Sequence, residues 1–412
     1  MNGRSGLQQW VRHQAAGRHE RRVLAAALGS LLRQRKRSFP LLAPLLAKLP
    51  WANHPKLQLW RGLSQAALGT PLPAPPQVKH ALVATQAWRD ASARAEVSTW
   101  SPLGRLPDAH LLRAALRERS PSRVLLFHHY DPRAMLPTSW QQALEAIQAS
   151  GWQVVVSTSS GLAAPVMASL HDQGVLLCRR RNIGLCLGAY KDLVLLLHDP
   201  PLQAGVQDLV LCNDSTLPLQ APAALLDQLQ RWCETSGARP EPALTGLTDS
   251  AERAAYHLQT YCLYANRALL QHPAWLRFWL GFSLAGSKDD LINNGEIGLS
   301  QALLAAGVQL RPAYPLVQGL LSDPAMAEEL QRYSIWQPRQ VNQSLFAWQS
   351  LLGRGFPLVK KHVLFELIEN QGLPMAMAEL ARWIPEERRE LLAGDLQELF
   401  VSRYSGGTPE LG

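Results

Sequence analysis

No stretch of this 412-residue sequence approaches the roughly 20 uninterrupted apolar residues that a membrane-spanning helix needs. The nearest, Phe39 to Leu49, is about half that length and holds two prolines and a lysine. The N-terminus lacks a small-residue cleavage site after an apolar core, so no secretory signal is expected. Cysteine is sparse and forms no CxxC pair. Cys178, Cys186, Cys212, Cys233 and Cys262 read as free thiols rather than disulfides or a zinc site. That usage fits a reducing cytoplasm. Acidic residues are almost missing from the first 70 positions, where twelve Lys/Arg face Glu20 alone, a charge of +11. The other 342 residues carry 29 basic and 31 acidic groups, so the overall +9 belongs to the N-terminal segment. The body of the chain therefore has no global attraction for polyanions, which argues against a nucleic-acid enzyme.

What is present reads as a globular chain, with 47% apolar and 18% charged residues. Residues 1–70 alternate basic clusters with short apolar runs: Arg33, Arg35, Lys36 and Arg37 precede Phe39, Leu41, Leu42, Leu45 and Leu46, and Trp51 and Trp60 follow. This suits peripheral contact with an anionic inner-membrane face. It suits equally a basic helical arm packed on the protein's own body. Residues 71–118 form a proline-rich linker (Thr70-Pro-Leu-Pro-Ala-Pro-Pro-Gln77) and a connecting helix over 107–118. From Ser122 the pattern alternates β and α, with strands expected at 123–128, 153–158, 175–178 and 208–212 and a helix at 139–149. The α/β domain is bounded at 119–370, with a helical tail over 371–412. A mainly parallel sheet flanked by helices follows from that alternation, and ligands on such sheets bind beyond the carboxyl ends of the strands.

Four segments carry candidate chemistry. At the end of the 208–212 strand, Asn213, Asp214 and Ser215 bring three oxygen-bearing side chains to the ligand edge. A carboxylate there can hold Mg²⁺ or Mn²⁺ with substrate phosphates, or the triplet can be an Asx turn. Arg179, Arg180, Arg181, Asn182 and Gly184 lead to Tyr190 and Lys191, either as phosphate or base contacts or as a solvated basic loop. Asp249 and His257 are proton acceptors in a mixed segment, with a structural histidine as the plainer alternative. Glu296 precedes the apolar stripe Ile297, Leu299, Leu303 and Leu304, so it reads as a carboxylate near a helix N-terminus, either a cap or a general base.

These segments resemble, in order and spacing, the rhamnan synthesis protein F family. The matching pieces are RRRNIGLCLGAYKDL, DLVLCNDSTLPL, GLTDS, YHLQTYCLYANRALL, LINNGEIGLSQALLAAGV and NQSLFAWQSLLGRGFPLVKKHVLFE, over about 240 residues. The resemblance implies a GT-A-like glycosyltransferase that moves a deoxyhexose, often rhamnose, from a nucleotide-sugar donor to a growing surface polysaccharide or lipid-linked acceptor. It implies a divalent cation at Asp214 beside Asn213 and Ser215, and Glu296 as base with Asp249 as runner-up. Asn182, Gly184, Tyr190 and Lys191 would line the donor site. A late motif of Asn342, Trp348, Pro357, Lys360 and Lys361 would contact the diphosphate or close over the acceptor. Arg180 and Arg181 would join them on the diphosphate.

Two departures stand out. Family members follow Asn-Ile-Gly with Arg-Asp, where this chain has Leu185 and Cys186. They often carry an aromatic pair where it has Pro242, Ala243, Leu244 and Thr245. Either the nucleotide is held differently or efficient catalysis is lost. The second option leaves a non-catalytic scaffold of a polysaccharide-assembly complex as the alternative. The expected location is the cytoplasm, free or on the inner face of its membrane.

Overall fold

The computed structural model describes residues 105–284, 287–333 and 341–405; the expected basic extension, the proline-rich linker and the charge cluster at its start lie outside them. The connecting helix is present as α1 (Ala109–Arg119). The alternating pattern then unfolds as β1 (Arg123–His129), α2 (Thr138–Ala149), β2 (Gln153–Thr158), α3 (Ala164–Asp172), β3 (Leu176–Arg179), α4 (Leu185–Leu197) and β4 (Asp208–Asn213). These four strands match the expected positions to within a residue. After β4 come β5 (Thr216–Pro218), α5 (Pro222–Ala238), β6 (Ala243–Ser250), β7 (His257–Leu258), β8 (Cys262–Asn266) and α6 (Pro273–Gly281). A helix over 288–305 leads to β9 (Gln309–Tyr314), and β10 (Leu358–Lys360) opens the C-terminal helices α7 (Lys361–Gln371), α8 (Leu373–Leu380) and α9 (Arg389–Ser405).

The strands form one mainly parallel sheet in the order β3-β2-β1-β4-β8-β6, with β9 and β7 both paired to β6. β1 is parallel to β2 and to β4, and β6 is parallel to β9. β8 runs antiparallel between β4 and β6. The strands alternate their side chains between two cores. Leu125, Phe127, Val154, Val156, Val210, Cys212, Cys262 and Tyr264 enter one; Val124, Leu126, Val155, Leu209, Leu211, Leu263 and Ala265 enter the other. Continuous apolar runs such as RVLLF are what a strand buried on both faces requires.

Helices α2, α5 and α7 to α9 cover the first face, and α1, α4, α6 and the 298–305 turn cover the second. The helices beyond residue 371, expected as a tail, place Ala376, Leu380, Leu392, Leu396 and Leu399 in the same core as β1. Asp395 on α9 also accepts from the backbone N–H groups of Thr138 (2.7 Å) and Ser139 (2.8 Å), capping α2 from 256 residues away.

The sheet's chain path reverses at β1. The β1-β2-β3 progression runs one way, and the next strand, β4, lands on the opposite side of β1. A doubly wound sheet opens its binding crevice at such a switch point, outside the carboxyl ends of the two strands. In this chain those ends are His128-His129-Tyr130 and Asn213-Asp214-Ser215.

Candidate functional site

The crevice at the β1–β4 switch is built around Asp214. Its backbone N–H donates to the His128 carbonyl at 3.1 Å, which ties the end of β4 to that of β1. Its side-chain Oδ2 accepts from the Tyr130 backbone N–H (3.3 Å) and faces Lys361 Nζ at 3.2 Å. Burial opposes ionisation of this carboxyl, but the interaction led by the Lys361 ammonium outweighs it and holds it below the ordinary carboxylate value. His128 is itself pushed down to about 3, by burial first and Arg180 second, so it is neutral in the fold.

Lysines 360 and 361 reach this point through a short ribbon. β10 pairs antiparallel with β5, matching Lys360 with Thr216, and the Lys361 N–H donates to the Ser215 carbonyl at 2.9 Å. Trp140 anchors the ribbon from below: its Nε1–H donates to the Thr216 carbonyl at 2.7 Å while its ring packs on Phe127. Lys360 then lies with its ammonium 4.3 Å from the centre of the Tyr261 ring. Burial lowers its pKa, opposed chiefly by the negative charge of Glu296.

Glu296 approaches from the other side. Thr260 sits in the irregular link between β7 and β8, where its N–H has no ladder partner. Glu296 Oε2 takes that N–H at 2.8 Å and the Thr260 hydroxyl at 2.7 Å. The His257 ring is buried with Nδ1 2.8 Å from the Ala255 carbonyl, which can only accept, so Nδ1 carries a proton. Nε2 then faces Glu296 Oε1 at 3.6 Å.

The two halves of the site are bridged by one hydrogen-bonded chain. Asn213 Nδ2 donates to the Tyr190 hydroxyl (3.1 Å), which donates to the Thr260 carbonyl (3.0 Å). The Cys186 thiol feels both carboxylates: burial and then the charges of Glu296 and Asp214 push its pKa up to about 11.

The expectation that Glu296 heads a helix is corrected by the structure. Ser287 and Asp290 form a capping box nine residues earlier, and one continuous helix runs from Lys288 to Ala305. Residues Ile292–Ile297 within it form a π-turn, and Glu296 projects from this widened segment. Gly295 is required there. A Cβ at this position would overlap Leu187 Cδ1 and lie 2.8 Å from Phe282 Cζ.

The remaining candidates fall in other places. Arg180 is buried and shares Asp192 with Arg105, at 3.1 Å and 2.7 Å respectively; its Nη2 also donates to the Ile183 carbonyl at 2.6 Å. This guanidinium braces the loop ahead of α4 rather than facing the crevice. Lys191 is buried and donates to the Phe282 carbonyl. Tyr190 is also fully buried and links Asn213 to Thr260 rather than lining the crevice. Asp249 Oδ1 accepts from the Leu316 N–H (2.7 Å) and Gln343 Nε2 (3.0 Å), and burial raises its pKa to about 6. Arg181 and Asn182 are exposed on the loop, Gly184 takes φ +74, and Leu185 takes φ +51, a backbone region uncommon for leucine. Asn342 receives Gln259 Nε2 at 3.0 Å and donates to Glu252 at 2.8 Å. Thr260 and Tyr261 fall within the matching piece YHLQTYCLYANRALL, but neither stands out in it as a site residue. A further signal is the polar interval between Asp249 and the apolar strand, which suits an irregular link better than a simple hairpin.

Among the described residues no three His, Cys, Asp or Glu side chains converge as a metal-ligand group. Asp214 by itself fits a hard cation of the Mg²⁺ kind, which is commonly held by one or two carboxylates with phosphates and water completing the shell. Beside it, Asn213 Oδ1 accepts from the Ser215 N–H at 2.9 Å, an Asx turn at the end of β4.

No family model matches the chain. An uncharacterized protein of Sinorhizobium fredii (strain NBRC 101917 / NGR234), y4gN, is 25% identical to it over 189 residues, 45% of this chain. The match covers 46% of that protein, so the chain aligns with less than half of its relative's length. Among the described residues no helix is long and apolar enough to cross a membrane.

Proposed function

We propose that the chain is a glycosyltransferase of the rhamnan synthesis kind, moving a deoxyhexose such as rhamnose from a nucleotide-sugar donor to a growing surface polysaccharide. One observation carries the reading. Asp214 with Lys361, and Glu296 with Lys360, converge on the crevice at the β1–β4 switch point, from segments 64 to 147 residues apart in sequence. An anion-binding lysine pair facing two carboxylates there suits a diphosphate leaving group and a hydroxyl nucleophile.

In this mechanism Lys360 and Lys361 hold the donor diphosphate beside Asp214. A divalent cation bound at Asp214 supplies further neutralisation of the diphosphate. Glu296 takes the proton of the acceptor hydroxyl as that oxygen bonds to the anomeric carbon and the carbon–oxygen bond to the diphosphate breaks, with inversion. Thr260 fixes the carboxylate's orientation through its N–H and hydroxyl, and burial keeps Asp249 out of the reaction as a structural group.

Calorimetric titration with dTDP-, GDP- and UDP-sugars, with and without Mg²⁺ or Mn²⁺, tests this. Binding of one donor that Asp214→Asn abolishes supports the transferase. Folded protein that binds none of them favours the second reading, a non-catalytic scaffold. The observations behind that reading are Leu185 at φ +51 and Cys186, which place an apolar turn beside the carboxylates.

A further inference from the structure

A second concave site lies away from this crevice, in a groove of about 620 Å³ between α5 and the β6–β9 side of the sheet. Ala243 opens β6 and Asn266 closes the antiparallel β8, while Arg311 to Tyr314 carry the groove along β9 to its end, on a side of the sheet away from Asp214. Three arginines from three separate elements line it: Arg231 of α5, Arg311 of β9 and Arg354 before β10. No aspartate or glutamate does.

Among the described residues their charges are only loosely matched, with Asp323 and Asp249 acting on Arg354 from beyond ion-pair distance. Arg311 pairs with the exposed Glu241 at 3.2 Å. Among the described residues no carboxylate lies within 4 Å of Arg231 or Arg354. Arg231 bonds only the neutral Gln228 of its own helix at 2.9 Å, and Arg354 bonds Gln343 at 3.2 Å. Among the described residues the buried Arg354 Nε has no hydrogen-bond partner. Its guanidinium stands 6.0 Å from the centre of the Tyr314 ring, and both Arg231 and Arg354 act electrostatically on the Tyr314 hydroxyl.

We infer that this groove binds an oxyanion-bearing sugar, a sugar carboxylate or a sugar phosphate, with Arg231, Arg311 and Arg354 holding the anion. Arginine forks match carboxylate and phosphate oxygens, and the volume falls in the range of small-molecule sites. A bare inorganic anion would leave most of it filled with water. Thr245, Gln228 and the Tyr314 edge supply the neutral polar surface that ring hydroxyls use. The groove shares no residue with the transferase crevice, so its ligand is independent of that reading.

The test is calorimetry on the full chain with trigalacturonate, glucose 1-phosphate and, as a neutral control, maltotriose. Arg231→Gln and Arg311→Gln are titrated alongside, with melting temperatures as the fold check. Arg231 is exposed and bonded only within its helix, so its substitution leaves the fold intact. The expected result is binding of one anionic probe, no binding of maltotriose, and at least ten-fold weaker affinity in each variant. Trigalacturonate binding identifies a carboxylate ligand, and glucose 1-phosphate binding a phosphate. The inference is overturned if neither anion binds, if maltotriose binds as well, or if the variants bind like the wild type.

Discussion

Lys361 Nζ lies 3.2 Å from Asp214 Oδ2 across 147 residues of sequence, and both side chains are only 13% exposed. An ion pair this sheltered costs desolvation, so its worth rests on the close geometry of its partners. Its carboxyl sits below the ordinary value, so its stabilising contribution is present above the unfolded pKa and is lost as pH falls through the folded one. Lys361→Met should therefore destabilise the protein at pH 7, and the gap to wild type should close below about pH 4. Denaturant melts at pH 3 and pH 7 check this; a gap that is constant with pH would mean the pair is not what the substitution removed.

Asp249 has the opposite sign. Its folded pKa, about 6, stands above the unfolded carboxyl value, so its contribution is complete below the unfolded pKa and lost as pH rises through 6. Asp249→Asn keeps an oxygen for the Leu316 N–H while discarding the buried charge. It should raise the melting temperature at pH 8, by an effect of at most about 3 kcal/mol, and change little at pH 4. Transfer activity should stay within a few-fold of wild type. A hundred-fold loss with the fold intact would return Asp249 to the role of base.

Much of this arrangement can be read from residues and much cannot. The β1, β2 and β4 runs are apolar on both faces, and burial on both faces is the reason they stand out as strands. The Asn213-Asp214-Ser215 edge follows from the same rule, because parallel strands offer their carboxyl ends to ligands. β5 and β10 are three residues each, and nothing local marks either as a strand; only their pairing over some 140 residues makes them one and delivers Lys360 and Lys361. Arg180 illustrates the converse failure. An arginine run suggests phosphate contacts, but Asp192, twelve residues on, turns the middle guanidinium inward. Glu296 is legible as a residue but not in its setting, since a π-turn has no pattern of its own and the capping box lies upstream.

Two glycines of the helical segments should respond in opposite directions. Gly295→Ala pushes a methyl group into Leu187 and Phe282 inside the π-turn, an overpacking cost of about 1–3 kcal/mol, and shifts the adjacent Glu296. Gly394 lies on the exposed side of α9, where an added methyl group would meet no atom within 4 Å, so Gly394→Ala should stabilise by up to about 1 kcal/mol. Paired thermal melts decide; equal shifts in the same direction would contradict the packing at Gly295.

The C-terminal helices belong to the core rather than to a detachable tail, and Asp395 gives the direct test. Asp395→Ala removes the acceptor for both the Thr138 and Ser139 N–H groups. The lost cap should cost about 1–2 kcal/mol, and removal of 371–412 should prevent folding altogether, because Leu380, Ile384, Leu392, Leu396 and Leu399 leave the core with it. Circular dichroism and solubility of the two variants separate the effects.

The assignment of Glu296 as base can be isolated from its structural bonds. Glutamine at 296 retains a carbonyl oxygen that can accept from the Thr260 N–H and hydroxyl, but it has no lone pair basic enough to take a proton from an acceptor hydroxyl. Glu296→Gln should therefore lower kcat by about 10²–10⁴, with donor affinity and melting temperature close to wild type. His257→Asn should act more weakly, because its ring only neighbours the carboxylate, 3.6 Å away. Turnover that survives largely in His257→Asn but is lost in Glu296→Gln would separate the neighbouring ring from the base itself. Full activity in Glu296→Gln would leave the carboxylate with a purely structural task, bracing Thr260 in the link between β7 and β8.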